Sequence, residues 1–137
     1  MSRTNMFYWQ ADRPYTAKQI KDIFLDRKND YDKDQISKAA ALAFGVDDVN
    51  LKDPINFGSV NIVCPFTTNN GDQGVIRVHP GSVKNEYFYS EVEAMKLAAA
   101  AGIPVPNTIL VDDTRNIFPF DYMVTSRVIG EVMQVAV

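Results

Sequence analysis

Three stretches carry residues whose types and order could do chemistry: FGSVN at 57–61, GVIRVHP at 74–80 and YSEVEAM at 89–95. Gly58-Ser59-Val60-Asn61 reads as a glycine turn between two strands, where backbone amides can approach phosphate oxygens. Arg77 falls on the next strand, from which a cation reaches the same phosphates. Glu91 or Glu93, on the helix that follows, can orient that cation through an ion pair. A buried Arg–Glu pair between strand and helix is as often merely structural. The order of all three features, more than any one of them, points to a held nucleoside triphosphate. Glu91 is the expected partner. It borders the apolar stripe beside Val92, one turn before Met95, whereas Glu93 points about 200° further round the helix and reads as solvated. An arginine suits the role, because its fork can bind phosphate and carboxylate at once.

Other motifs carry less. Asp30, Asp32 and Asp34 resemble the start of a calcium loop, but the positions that need glycine and a bidentate carboxylate hold Gln35 and Ala41. They read as a solvated inter-helix loop. QISKAAALAFGVDD has the look of the first helix of a helix-turn-helix, yet the following VDDVNLKDP is acidic and contains a proline, the wrong sign for phosphates. His79 is the only histidine and precedes Pro80, so a catalytic triad or histidine metal cluster has no material. Cys64 is the only cysteine, which excludes an internal disulfide, fits a reducing compartment and reads as a small core residue.

The elements that must position these residues follow from pattern. Thr16-Ala17-Lys18-Gln19 reads as a capping box opening a helix over 16–28, with Ile20, Ile23 and Phe24 on one side. A second, alanine-rich helix spans 35–44 and stops at Gly45, a left-handed cap. Ile55 and Phe57 before Gly58, then Val60, Ile62 and Cys64, then Val75, Ile76 and Val78 read as three antiparallel strands over 51–78, with Asn69-Asn70-Gly71-Asp72 as a hairpin turn. Pro80-Gly81-Ser82 breaks the pattern. A helix over 83–101 follows, with Phe88, Val92, Met95 and Ala99 along one stripe and Gly102 at its end. Strands over 108–111 and 120–128 flank a turn at 112–119. The expected fold is α+β: a five-stranded antiparallel sheet with one packed helix, preceded by a two-helix extension. The chain has 137 residues, 46% of them hydrophobic and 23% charged, which is one ordinary domain. Its net charge of −3 gives no pull towards nucleic acid or an anionic membrane. The first fifteen residues lack an apolar signal-peptide core, and no apolar run approaches the roughly 20 residues of a membrane span. A cytoplasmic protein is expected.

Residues 57–130 resemble the N-terminal lobe of the aminoglycoside phosphotransferase family, small-molecule kinases related to protein kinases and choline kinases. The matching pieces are FGSVNIVCPF, GVIRVHP, YSEVEAMKLAAAAGIPVPNTILVDD and FPFDYMVTSRVIGE, in the family's order and at similar spacing. Gly-Ile-Pro-Val-Pro is the most distinctive of them. The family often places lysine where Arg77 stands. Residues 1–48 match no motif and read as a helical extension, 49–130 as the nucleotide-binding lobe, and 131–137 as the start of an inter-lobe linker.

The resemblance implies ATP, with Mg2+, in a cleft beside the last strand. Gly58, Ser59 and Asn61 would face the phosphates, and Arg77 and Glu91 would anchor them. Thr125 would sit before the hinge, and adenine would bond the Ser126 carbonyl and the Val128 amide. The family's catalytic and magnesium-binding aspartates lie on a second lobe, and no His-Gly-Asp loop occurs in these residues. Alone they are expected to transfer no phosphoryl group. With the second lobe, a small-molecule hydroxyl would be the acceptor. The other expectation is a non-catalytic truncated or stand-alone lobe that works as an interaction module. Without the second lobe, Tyr122, Val124, Val128, Val132, Met133, Val135 and Val137 would lack what the family packs near them; some would point into the sheet's own core, and the tail residues after Gly130 are expected to drive self-association through the hinge strand and tail.

Overall fold

The computed structural model describes residues 16–18, 32–55, 61–79 and 87–130. Helix α1 (Lys33–Phe44) begins two residues before the expected start, because Asp32 caps it. The Asp32 carboxylate accepts from the amides of Asp34 at 3.0 Å and Gln35 at 3.1 Å, satisfying donors that have no partner within the helix. This aspartate therefore caps the start of α1. Gly45, at φ 65°, closes α1. Its amide donates to Leu42 and that of Val46 to Ala41, the paired bonds of a Schellman cap. Of the first expected helix only residues 16–18 are described, and Ala17 and Lys18 are helical there.

Five strands follow: β1 (Val49–Leu51), β2 (Ile62–Thr68), β3 (Gln73–His79), β4 (Thr108–Asp112) and β5 (Asp121–Ser126). Helix α2 (Tyr87–Ala100) lies between β3 and β4 in the chain. All pairings are antiparallel, and the strand order is β1-β2-β3-β5-β4. The first strand lies earlier than the apolar pattern around Ile55 suggested. Prolines explain the shift. Lys52 donates to the Pro65 carbonyl, but Pro65 has no N–H to return, and Pro54 interrupts the chain two residues on. Pairing resumes only where the Ile55 amide meets the Val63 carbonyl. The β2–β3 hairpin turns at Asn69-Asn70-Gly71 as expected, with Gly71 at φ 87° and its amide bonded to Thr68. The last strand ends at Ser126 rather than 128, because β3 begins at Gln73. One further rung, Arg127 to the Gln73 carbonyl, remains, and Val128 lies beyond it.

Period-two alternation gives the sheet two faces. Ile62, Cys64, Phe66, Ile76, Val78, Tyr122 and Val124 lie on one and are buried together with Ile36, Ala39, Ala40 and Ala41 of α1. The alanines let α1 approach closely, so this helix belongs to the core of the sheet. The opposite face carries Val63, Val75, Arg77, Met123 and Thr125 and meets α2. That helix is lightly held: Phe88 is its only buried residue, Val92, Met95 and Ala98 are half-buried, and Leu97 is 75% exposed. Ala99, expected on the packed stripe, is exposed and Ala98 takes its place. Gly102, at φ 79°, ends the helix with a second Schellman cap, Ile103 to Ala98 and Gly102 to Ala99. The chain at 80–86, including the expected Pro80-Gly81-Ser82 break and the first residues of the 83–101 helix, lies outside the described residues.

Candidate functional site

Arg77 stands mid-strand on β3, opposite Val63 of β2 and Met123 of β5. Its guanidinium meets Glu91 of α2 through both terminal nitrogens, Nη1 to Oε2 and Nη2 to Oε1, the latter at 2.9 Å. This is the two-point, charge-assisted pairing that fixes a guanidinium in orientation as well as position. Glu93 instead pairs with Lys96 at 3.0 Å on the solvent side of the helix, as its angular offset required. Phe88, one turn before Glu91 and fully buried, lies under the guanidinium, with its ring centroid 5.4 Å from the Arg77 Cζ. Both grips on Arg77 thus come from one side of α2. Arg77 and Glu91 keep 27% and 38% of their side-chain surface, so the group is packed but still reachable from solvent.

Thr125 shares this face, opposite Val75 and two residues along β5 from Met123, and is 5% exposed. Ser126 ends the strand against residue 107: its amide donates to the Asn107 carbonyl and its Oγ accepts from the Asn107 amide, both at 2.8 Å. Val128 is 52% exposed. Asn61, one residue before β2, brings its Oδ1 to 3.2 Å from the Nδ1 of His79. Gly58 and Ser59 lie outside the described residues, as does the tail at 131–137. Arg77, Glu91 and Thr125 are thus gathered on one face, with Ser126 and Val128 at the end of the strand that carries Thr125.

Residue pattern missed a polar row at the far end of the same face. Asn61 and His79 meet there, and His79 lies opposite Asp121. His79 is 3% exposed and Asp121 0%. Arg115, at φ 56° in the β4–β5 turn, reaches back to Asp121 through Nε at 2.7 Å. The same turn is built on Asp112, whose Oδ1 accepts from the Thr114 amide and hydroxyl. On the α1 face the Tyr122 hydroxyl is buried, and burial, then the nearby Asp112 carboxylate, push its pKa up to about 12. Among the described residues no group of three or more His, Cys, Asp or Glu side chains could hold a metal ion, and no helix is long and apolar enough to cross a membrane.

Compared with known proteins, the chain matches no family model, no curated protein and no solved structure.

Proposed function

We propose that the Arg77 face of the sheet holds the phosphates of a nucleotide, and that the chain is the nucleotide-binding lobe of an ATP-dependent phosphotransferase that resembles the aminoglycoside phosphotransferases. The observation that carries this reading is the two-point Arg77–Glu91 pair between β3 and α2. A strand cation held by a helix carboxylate, beside the end of a neighbouring strand, is the arrangement that positions phosphates in this chemistry. Thr125 would line the base pocket. The Ser126 carbonyl and Val128 amide would meet adenine, and Asn61, with Gly58 and Ser59, would flank the phosphates. Bound ATP with Mg2+ would supply the transferable phosphoryl group. As the resemblance implies, the metal's ligands and the general base would come from a second lobe. A small-molecule hydroxyl would be the acceptor, and the setting would be cytoplasmic.

Calorimetric titration of ATP with Mg2+ tests this. Arg77→Ala is expected to weaken binding about tenfold, the loss of roughly one charge-assisted contact. Equal affinity in wild type and variant, or no binding at millimolar nucleotide, refutes it. A second reading, an interaction module that self-associates through the end of β5 and the tail, is favoured by Val128 and Ile129, 52% and 88% exposed. Light scattering at micromolar concentration discriminates: a monomer that binds ATP favours the first reading, and a dimer without nucleotide binding favours the second.

A further inference from the structure

The guanidinium of Arg77 has five N–H donors in one plane and two faces. Glu91 takes one inward donor from each terminal nitrogen, and the Cζ lies over the Phe88 ring, 5.4 Å from its centroid. Three donors remain: Nε–H and the outer N–H of each terminal nitrogen. Nε–H and the terminal N–H beside it run parallel along one side edge, spaced for two oxygens of a single oxyanion. Among the described residues no protein acceptor meets that edge, and the side chain keeps 27% of its surface in solvent. We infer that Phe88 is a positioning residue, which with Glu91 holds the guanidinium so that its side edge receives two oxygens of a phosphate or pyrophosphate group while the Glu91 pair stays intact.

The electrostatics explain why orientation matters here. Glu91 already balances the Arg77 charge, so an arriving anion meets a nearly neutral pair. Its hold then depends on the direction of two N–H bonds more than on net charge. Two contacts from one helix restrain those directions. Glu91 holds the neighbouring edge through both terminal nitrogens, and the Phe88 ring holds the Cζ above it. Phe88 is fully buried, so its own ring is locked by packing. A lysine at 77 could not serve both partners in this way, because its ammonium is a point charge with no second planar edge.

The identity of the anion rests on the nucleotide reading above; the geometry of the edge does not. The test is NMR on the 15N-labelled 137-residue chain, with the Arg77 Nε–H signal assigned by its loss in Arg77→Lys. Pyrophosphate is expected to move that signal downfield in a saturable way. Phe88→Leu and Phe88→Met, checked for folding by circular dichroism, are expected to loosen the Nε–H on the nanosecond scale and to weaken pyrophosphate binding at least fivefold. If either folded variant keeps wild-type order and affinity, Phe88 does not position Arg77. If pyrophosphate leaves the wild-type signal unmoved, the open edge is not an anion site, and that arm decides the matter even should both variants unfold. The two proposals fail separately. If pyrophosphate moves the signal but ATP binds no tighter than pyrophosphate, the nucleotide reading falls and this inference stands. If ATP binds without moving the signal, the reverse holds.

Discussion

Among the described glycines, Gly74 is the one where an added methyl group meets crowded atoms. It is buried on β3 opposite Phe66 of β2, with no positive φ, so the glycine answers a need for space and not for backbone freedom. A Cβ there would lie 2.4 Å from the Phe66 Cζ, 2.8 Å from its Cε1 and 2.9 Å from the Cζ of Phe44. The Phe66 ring cannot simply swing away. It is 1% exposed, and Phe44 meets it edge-on with centroids 5.0 Å apart. Overpacking of this kind costs about 1–3 kcal/mol. Alanine also stiffens the unfolded chain, which offsets roughly 0.4–1 kcal/mol. The expected net loss for Gly74→Ala is therefore about 1–2 kcal/mol, or a fall in Tm of roughly 3–10 °C for a domain of this size. Urea unfolding with an unchanged m-value would measure it. Phe66→Leu removes the atoms that clash, so adding it to Gly74→Ala should cost at least about 1 kcal/mol less than the sum of the two single changes. A Gly74→Ala variant within about 0.5 kcal/mol of wild type, or strict additivity with Phe66→Leu, would show that the ring moves freely and that this layer of the core is looser than described.

Two further outcomes test other parts of the fold. A double-mutant cycle with Arg77→Gln and Glu91→Gln should give a coupling of about 1 kcal/mol, modest because both side chains stay about a third exposed, and above that of ordinary surface pairs because the contact is two-pointed. No coupling would mean that the pair contributes nothing to holding α2. Tyr122 should make stability fall at alkaline pH. Its pKa rises from an ordinary 10.0 to about 12, so between those values the folded chain keeps a proton that the unfolded chain has lost. That stability is fully present below pH 10 and disappears as pH passes 12. It amounts to about 3 kcal/mol, and Tyr122→Phe should remove this part of the slope. Parallel pH profiles for wild type and Tyr122→Phe in urea unfolding would contradict the assignment.

The features visible in the sequence were those decided within a few residues. Gly45 and Gly102 end their helices because only a residue tolerant of positive φ lets the final carbonyls find partners, and that choice is local. The turn at Asn69-Asn70-Gly71 is local in the same sense. Glu91 could be preferred to Glu93 by counting degrees round one helix. The first strand begins earlier than expected, at Val49; the apolar pattern from Ile55 runs to Phe57, which lies outside the described residues, while the break in pairing before Ile55 is partly remote in origin. Pro65 sits thirteen residues from Lys52 (65 − 52 = 13), and its missing donor matters only once β2 lies beside the segment. The place of α1 in the core was hidden for a different reason. Three consecutive alanines carry little amphipathic signal, yet their small size is what lets the helix lie close against the sheet.

The polar row on the α2 face shows the same limit more sharply. Asn61, His79 and Asp121 each stand at or beside a strand end, and a polar residue at a strand end reads as a solvated terminus. Only the register, with Ile62 opposite Val78 and His79 opposite Asp121, brings the three into line. Once aligned they cannot be solvated, since His79 and Asp121 are almost completely covered, and a buried carboxylate is tolerable only when paired. Arg115 supplies part of that pairing, reaching Asp121 from a backbone conformation that non-glycine residues seldom adopt. The strain in that turn and the charge under it therefore explain one another. The turn's unusual backbone is what brings the Arg115 Nε to 2.7 Å from the buried Asp121 carboxylate.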